Sequence, residues 1–174
     1  MAMLLAGCSS MPPLKHVMLS PPQTQRLASQ SSNWDVRRVQ MPEYLDNYEI
    51  QLRTEDYVLT QLPNARWAER LPVATTRLLQ QTINEKLQNG RDKHYEVHVD
   101  IDTFEPQPSG NVVLAAEWRV TDAADTVVAH DDTLIKQPLA EGDAESSQPS
   151  AGEIGRSMSS AIRELAMQIV ARTG

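Results

Sequence analysis

The sequence predicts an α+β fold, a mostly antiparallel sheet with two amphipathic helices packed on one face. Three observations carry this. Tyr95, Val97, Val99 and Ile101 alternate with Glu96, His98, Asp100 and Asp102, the period of a half-buried strand. Thr75, Leu79, Ile83 and Leu87 recur at i, i+4 spacing with Leu78 beside them, which draws one apolar stripe on a helix. A second stripe runs through Ile154, Met158, Ala161, Ile162, Leu165 and Ile169. A helix with one apolar face must bury it, and the apolar face of the sheet is what the chain offers.

Each element follows in order. "HVMLS" has room for a short edge strand before Pro21 and Pro22 stop it, and the Gln, Ser, Thr and Pro from Ser20 to Asn33 form a linker. "WDVRRVQM", "YEIQL" and "YVLTQL" are strand segments, the first and last ending at Pro42 and Pro63, with "PEYLDN" a turn or short helical elbow between the first two. Helix is expected from about Asn64, as a capped first turn carrying Trp67, with a kink near Leu71 because Pro72 is best tolerated at a helix start. Asn89-Gly90 ends that helix. "YEVHVDIDTF", "NVVLAAEWRV" and "TVVAHDDTLIK" form an antiparallel meander, its first turn the loop-forming "PQPSG". The acidic "QPLAEGDAESSQPS" is a loop. Ser150 and Glu153 then make a capping box for the last helix.

Composition narrows the function classes. Lys plus Arg number 16 against 23 for Asp plus Glu, a net charge of −7, which argues against a general nucleic-acid binder and against charge-driven adhesion to anionic lipid. One cysteine excludes a disulfide framework. No stretch approaches the roughly 20 apolar residues of a membrane-spanning helix. That cysteine, Cys8, follows Leu5, Ala6 and Gly7 and precedes two serines and two prolines, a context no core cysteine occupies. Leu-Ala-Gly-Cys is instead a lipobox, in which small residues open the chain to the enzyme that acylates the thiol. Only seven residues precede Cys8, short of a basic region plus an apolar stretch of about 7–15 residues, so the native start is expected upstream. Residues 1–13 thus read as signal remnant, lipobox and tether, and 14–174 as a single domain.

Catalytic chemistry is thin. His94, Glu96, His98, Asp100 and Asp102 hold metal-ligating atoms, but i, i+2 side chains stand about 6.5–7 Å apart along a strand, so a closed site needs ligands from a neighbour. Glu117, Arg119, His130 and Asp132 are available there. A solvated strand face is the expected reading, with no metal and no cofactor. Neither Gly-x-Ser-x-Gly nor a phosphate-cradling glycine loop occurs. The chain is therefore not expected to be an enzyme. In "ARWAERL", Trp67 and Leu71 read first as packing on the sheet edge. Trp67, Arg66 and Arg70 are nonetheless the first candidates for contact with a partner, since Trp and Arg most often dominate binding energy.

"LAGCSS", "VQMPEYLDN", "ARWAERLPVATTRLLQQTINEKL", "VHVDIDTFEPQPSGNVVLAAEWRV" and the closing amphipathic helix together resemble the ABC-type transport auxiliary lipoproteins, in particular their PqiC-like branch. The strongest marks are Pro42-Glu43-Tyr44-Leu45, Trp67-Ala68 with Leu71, and Glu117-Trp118. The resemblance implies a periplasmic lipoprotein anchored through Cys8 that serves an MCE-domain protein of a Pqi-like (paraquat-inducible) complex in moving lipid between membranes and guarding envelope integrity. It also implies a homo-oligomer, such as a ring. Ser9, standing where an Asp would signal inner-membrane retention, implies the outer membrane. No catalytic residue carries over. Two other readings stay open: a stand-alone structural lipoprotein, and a periplasmic metal-dependent enzyme using the His98 face.

Overall fold

A computed structural model describes residues 12–19, 33–87, 93–139 and 149–173. In chain order the elements are β1 (Lys15–Val17), β2 (Trp34–Val36), β3 (Glu49–Glu55), β4 (Val58–Trp67), α1 (Leu71–Lys86), β5 (Tyr95–Pro106), β6 (Asn111–Asp122), β7 (Val127–Pro138) and α2 (Ala151–Thr173). The fold is α+β, as the periodicities predict. The strands form two mixed sheets and not one, a three-stranded sheet ordered β1-β4-β3 and a four-stranded sheet ordered β2-β5-β6-β7. Antiparallel pairing dominates within the β3–β4 hairpin and the β5–β6–β7 meander. The short strands β1 and β2 each add in parallel at one edge.

Both helices cover the apolar face of the larger sheet. Leu78, Leu79 and Ile83 of α1 and Ile154, Met158, Ala161, Ile162, Leu165 and Ile169 of α2 are buried, against Val97, Val99, Ile101, Val112, Leu114, Trp118 and Val120 of the sheet. The indole of Trp118 donates to Thr133 Oγ1 at 3.0 Å, so this buried polar atom is satisfied inside the layer. At the sheet's β2 edge, Trp34 and Tyr95 pack as tilted rings with centroids 4.9 Å apart. The capping box forms: Ser150 N–H donates to Glu153 Oε2 at 2.6 Å and Glu153 N–H to Ser150 Oγ at 3.3 Å. Hydrogen bonding from Ser150 to the ionised carboxylate holds Glu153 below its ordinary pKa.

Two expectations about local structure are corrected. Asn64 caps no helix: residues 64–67 continue β4, and α1 begins at Leu71 with Pro72 in its first turn. The register jumps from Glu49↔Arg66 to Gln51↔Gln61, and Asn64 absorbs the resulting bulge in the left-handed region at φ 55°. Pro63 is tolerated in a strand because it lies in that bulge. "WDVRRVQM" also pairs over less than its length. Beyond Val36 the only further pairing is a single bridge between Gln40 and Asp100. The helix stop at Asn89-Gly90, residues 20–32 of the linker and residues 140–148 of the acidic loop lie outside the described residues.

Candidate anchoring and partner surface

Cys8 lies outside the described residues, but the chain that follows it has a defined seat. Lys15, His16 and Val17 pair in parallel with Ala65, Arg66 and Trp67, and Ala68 N–H donates to Val17 C=O at 2.8 Å. Helix α2 closes over the strand. A Cβ on Gly155 would stand 2.9 Å from Val17 Cγ1 and 3.4 Å from Met18 O, so only glycine lets the helix backbone come this near. One turn further on, the Ser159 hydroxyl faces the carbonyl oxygens of Gly155 and Leu19. Leu19 itself is buried.

The end of β4 decides where the three candidate contact residues point. Strand alternation turns Ala65 and Trp67 inward and Arg66 outward. Trp67 is 2 % exposed, so the indole belongs to the core and offers nothing to a partner, and its backbone N–H donates to Tyr48 C=O at 2.7 Å. Arg66 is exposed, its Nε 3.2 Å from His16 Nε2 on the tether strand. Arg70 is the extended N-cap residue of α1 and caps nothing with its side chain. Its guanidinium turns instead to the elbow, with Nε 3.0 Å from Asp46 Oδ1 and a second nitrogen donating to Asp46 C=O at 2.8 Å. Arg38 approaches the other carboxylate oxygen at 3.6 Å. Two arginines thus converge on the one Asp46 carboxylate.

A buried polar joint between the two sheets is the feature sequence reasoning missed. A bulge at Asp102 shifts the parity of β5, keeping Phe104 on the helix side and sending Glu105 to the other. There Tyr44 from the elbow and Arg53 from β3 cover it completely. Arg53 binds Glu105 Oε1 through two nitrogens, at 2.9 and 2.8 Å, and Glu105 Oε2 accepts from the Tyr44 hydroxyl at 3.1 Å and from Phe104 N–H at 3.0 Å. The carboxylate raises the Arg53 pKa through these bonds. Burial, with the negative charge of Glu105 behind it, pushes the Tyr44 phenol up to about 12. One signal was legible: apolar residues at 101 and 104 break the period of two.

Ion pairing organises the Glu96 end of the polar face of β5. Arg37 beside β2 grips Glu96 through both oxygens, at 2.6 and 3.0 Å, which lowers the carboxyl pKa and raises that of the guanidinium. His98 Nε2 stands 3.5 Å from the same carboxylate. Asp100, Glu117 and Asp132 fall opposite one another across three strands. Among the described residues no group of three His, Cys, Asp or Glu is placed to hold a metal ion, and no helix is long and apolar enough to cross a membrane.

The fold has solved counterparts. One crystal structure, of an uncharacterized protein, superposes with a TM-score of 0.73 over 94 % of this chain and 100 % of that one, at 14 % identity. Another, of a DUF330 protein from Xanthomonas campestris, gives 0.59 over 91 % and 90 % of the two chains at 16 % identity. At such identities the likeness is one of fold. None of the curated proteins matches this sequence. The family model of the ABC-type transport auxiliary lipoprotein component matches residues 18–170, a span that starts just after β1 and ends within the last turn of α2. Taking in every strand but β1, nearly all of both helices and the sheet joint in one match, it shows that the chain belongs to the ABC-type transport auxiliary lipoprotein component family.

Proposed function

We propose that the protein is an auxiliary subunit of an MCE-type, Pqi-like intermembrane lipid transport system, held by acylated Cys8 on the periplasmic face of the outer membrane. Family membership itself brings lipid anchoring at the envelope and association with an ABC-type transport system. The carrying observation is that the match takes in every element from β2 to α2, while the marks of the PqiC-like branch sit at the joints of this fold. Tyr44 ties the elbow to Glu105, Trp67 closes the tether strand's seat, and Trp118 bonds across the larger sheet. Ser9 after Cys8 supports outer-membrane sorting. The domain works on this reading by surface and not by catalysis, self-associating and docking on an MCE-domain protein. Arg66 and Arg70 are the exposed residues of the first-named contact set, and both border the tether seat.

The test is capture of the full-length acylated chain from envelope membranes, followed by mass spectrometry and by light scattering of the detergent-solubilised protein. An MCE-domain protein co-purifying at near-stoichiometric amount, with a mass several times that of one chain, is expected. A strict monomer that captures no MCE protein would make it a stand-alone structural lipoprotein.

A further inference from the structure

The geometry points to the tip of the β3–β4 hairpin as a contact with the lipid surface in which Cys8 is anchored, so that the tether and the tip together fix how the domain stands on the membrane. This rests on the lipid-anchored reading and goes beyond it. The tip is a tight turn at Asp56-Tyr57, closed by the Glu55↔Val58 pair. Tyr57 is 98 % exposed and Val58 beside it 39 %, so an aromatic ring is held in solvent with nothing packed on it. The turn is also held in place. Arg53 donates to Asp56 C=O at 2.9 Å with one nitrogen while its others grip buried Glu105, which couples the tip to the core of the sheet joint.

The direction of the tether selects the occupant. Because β1 runs parallel to β4, the chain N-terminal to Lys15 leaves its seat alongside β4 toward Val58, the hairpin's own end. Seven residue steps separate Lys15 from Cys8, a reach of about 23 Å when extended. Ala65 to Val58 is also seven steps and is shortened by the bulge at Asn64, so a tether of that length is long enough, if extended, to span to the level of the tip. Pro12 and Pro13 favour the extended form by fixing φ near −65°. Tyrosine suits the headgroup layer, its ring in the apolar boundary and its hydroxyl wet. Glu55 and Asp56 flank it, so the surface it fits is zwitterionic and not strongly anionic.

The experiment uses the full-length acylated protein in phosphatidylethanolamine–phosphatidylcholine vesicles. With Cys8 acylated, Tyr57→Cys supplies the one thiol for an environment-sensitive fluorophore. Ala123→Cys serves as reference, because the β6–β7 turn lies at the far end of β5, about 35 Å along the strand from Glu105. Both positions are exposed turns, so neither label disturbs the core. Headgroup-depth spin-labelled lipid is expected to quench the label at 57 at least threefold more than the label at 123, with a blue shift at 57 alone. Equal quenching in vesicle-bound, acylated protein would overturn the tip contact and leave the anchor intact. Protection of position 57 only when an MCE-domain protein is added would overturn it in favour of a protein partner. A mass spectrum showing Cys8 unacylated in the membrane-bound protein would overturn the anchoring reading and this inference with it.

Discussion

The Glu105 side chain is wholly enclosed, and Arg53 keeps 23 % of its side chain in solvent. Removing the carboxylate strands a half-enclosed guanidinium and an orphaned phenol. Glu105→Ala should therefore cost about 2–3 kcal/mol in urea denaturation, below the roughly 3–5 kcal/mol of a fully enclosed pair because Arg53 retains some hydration. Replacing both partners, as in Arg53→Met with Glu105→Leu, should recover most of that loss, and the double-mutant cycle gives the coupling. Tyr44 adds an alkaline signature. Its folded pKa is raised from the ordinary 10 to about 12, so the folded state holds the proton more tightly than the unfolded one. Stability from this bond is complete below pH 10 and is lost as pH climbs toward 12. Tyr44→Phe should flatten the denaturation midpoint across that window, whereas Tyr57→Phe should leave its slope unchanged.

At the scale of elements, the seat of β1 is the most constrained contact. Gly155→Ala gains about 1 kcal/mol of helix propensity but drives a methyl into Val17, an overpacking worth about 1–3 kcal/mol. Net destabilisation of up to about 2 kcal/mol is expected. Amide exchange should quicken selectively at Ala68, whose N–H is held by Val17 C=O. Elements with strong periodicity were legible in the sequence: the meander, the apolar stripes of both helices and the Ser150–Glu153 box stand where the spacing put them. Asn64 to Trp67 was not, because helix propensity in "NARWAERL" is overridden by the neighbours that β1 and Glu49 bring from far along the chain. The same distance hid the candidate surface. Nothing local in "TFEPQ" announces that Tyr44 and Arg53 will cover Glu105, and nothing near residue 155 announces the strand that needs its glycine. Arg66 and Trp67 differ only in strand parity, which a helix assignment at that point obscured.

For the whole molecule, the division between tether and domain is the testable unit. Expressed behind a secretory signal peptide, Cys8→Ala should move the protein from the membrane pellet to the soluble periplasmic fraction, since on this reading the acyl chains supply the attachment and net charge −7 disfavours anionic lipid. A mutant still in the pellet would place the attachment elsewhere in the chain. The domain itself should stay folded, with an unchanged thermal midpoint, because its core lies entirely beyond the lipobox.

The closure of α2 over β1 also sets a timetable. His16 meets Arg66 across 50 residues of sequence, and Leu19 meets Ser159 across 140. Loop closure over such separations comes late in folding, and here the closing helix is the last of the described elements in chain order. The β3–β4 hairpin and the β5–β6–β7 meander therefore precede, in chain order, the cover that α2 places over β1. For that whole interval β1 lacks its α2 cover, so protection of the Ala68 amide, whose N–H is held by Val17 C=O, is expected to be among the last to appear on refolding.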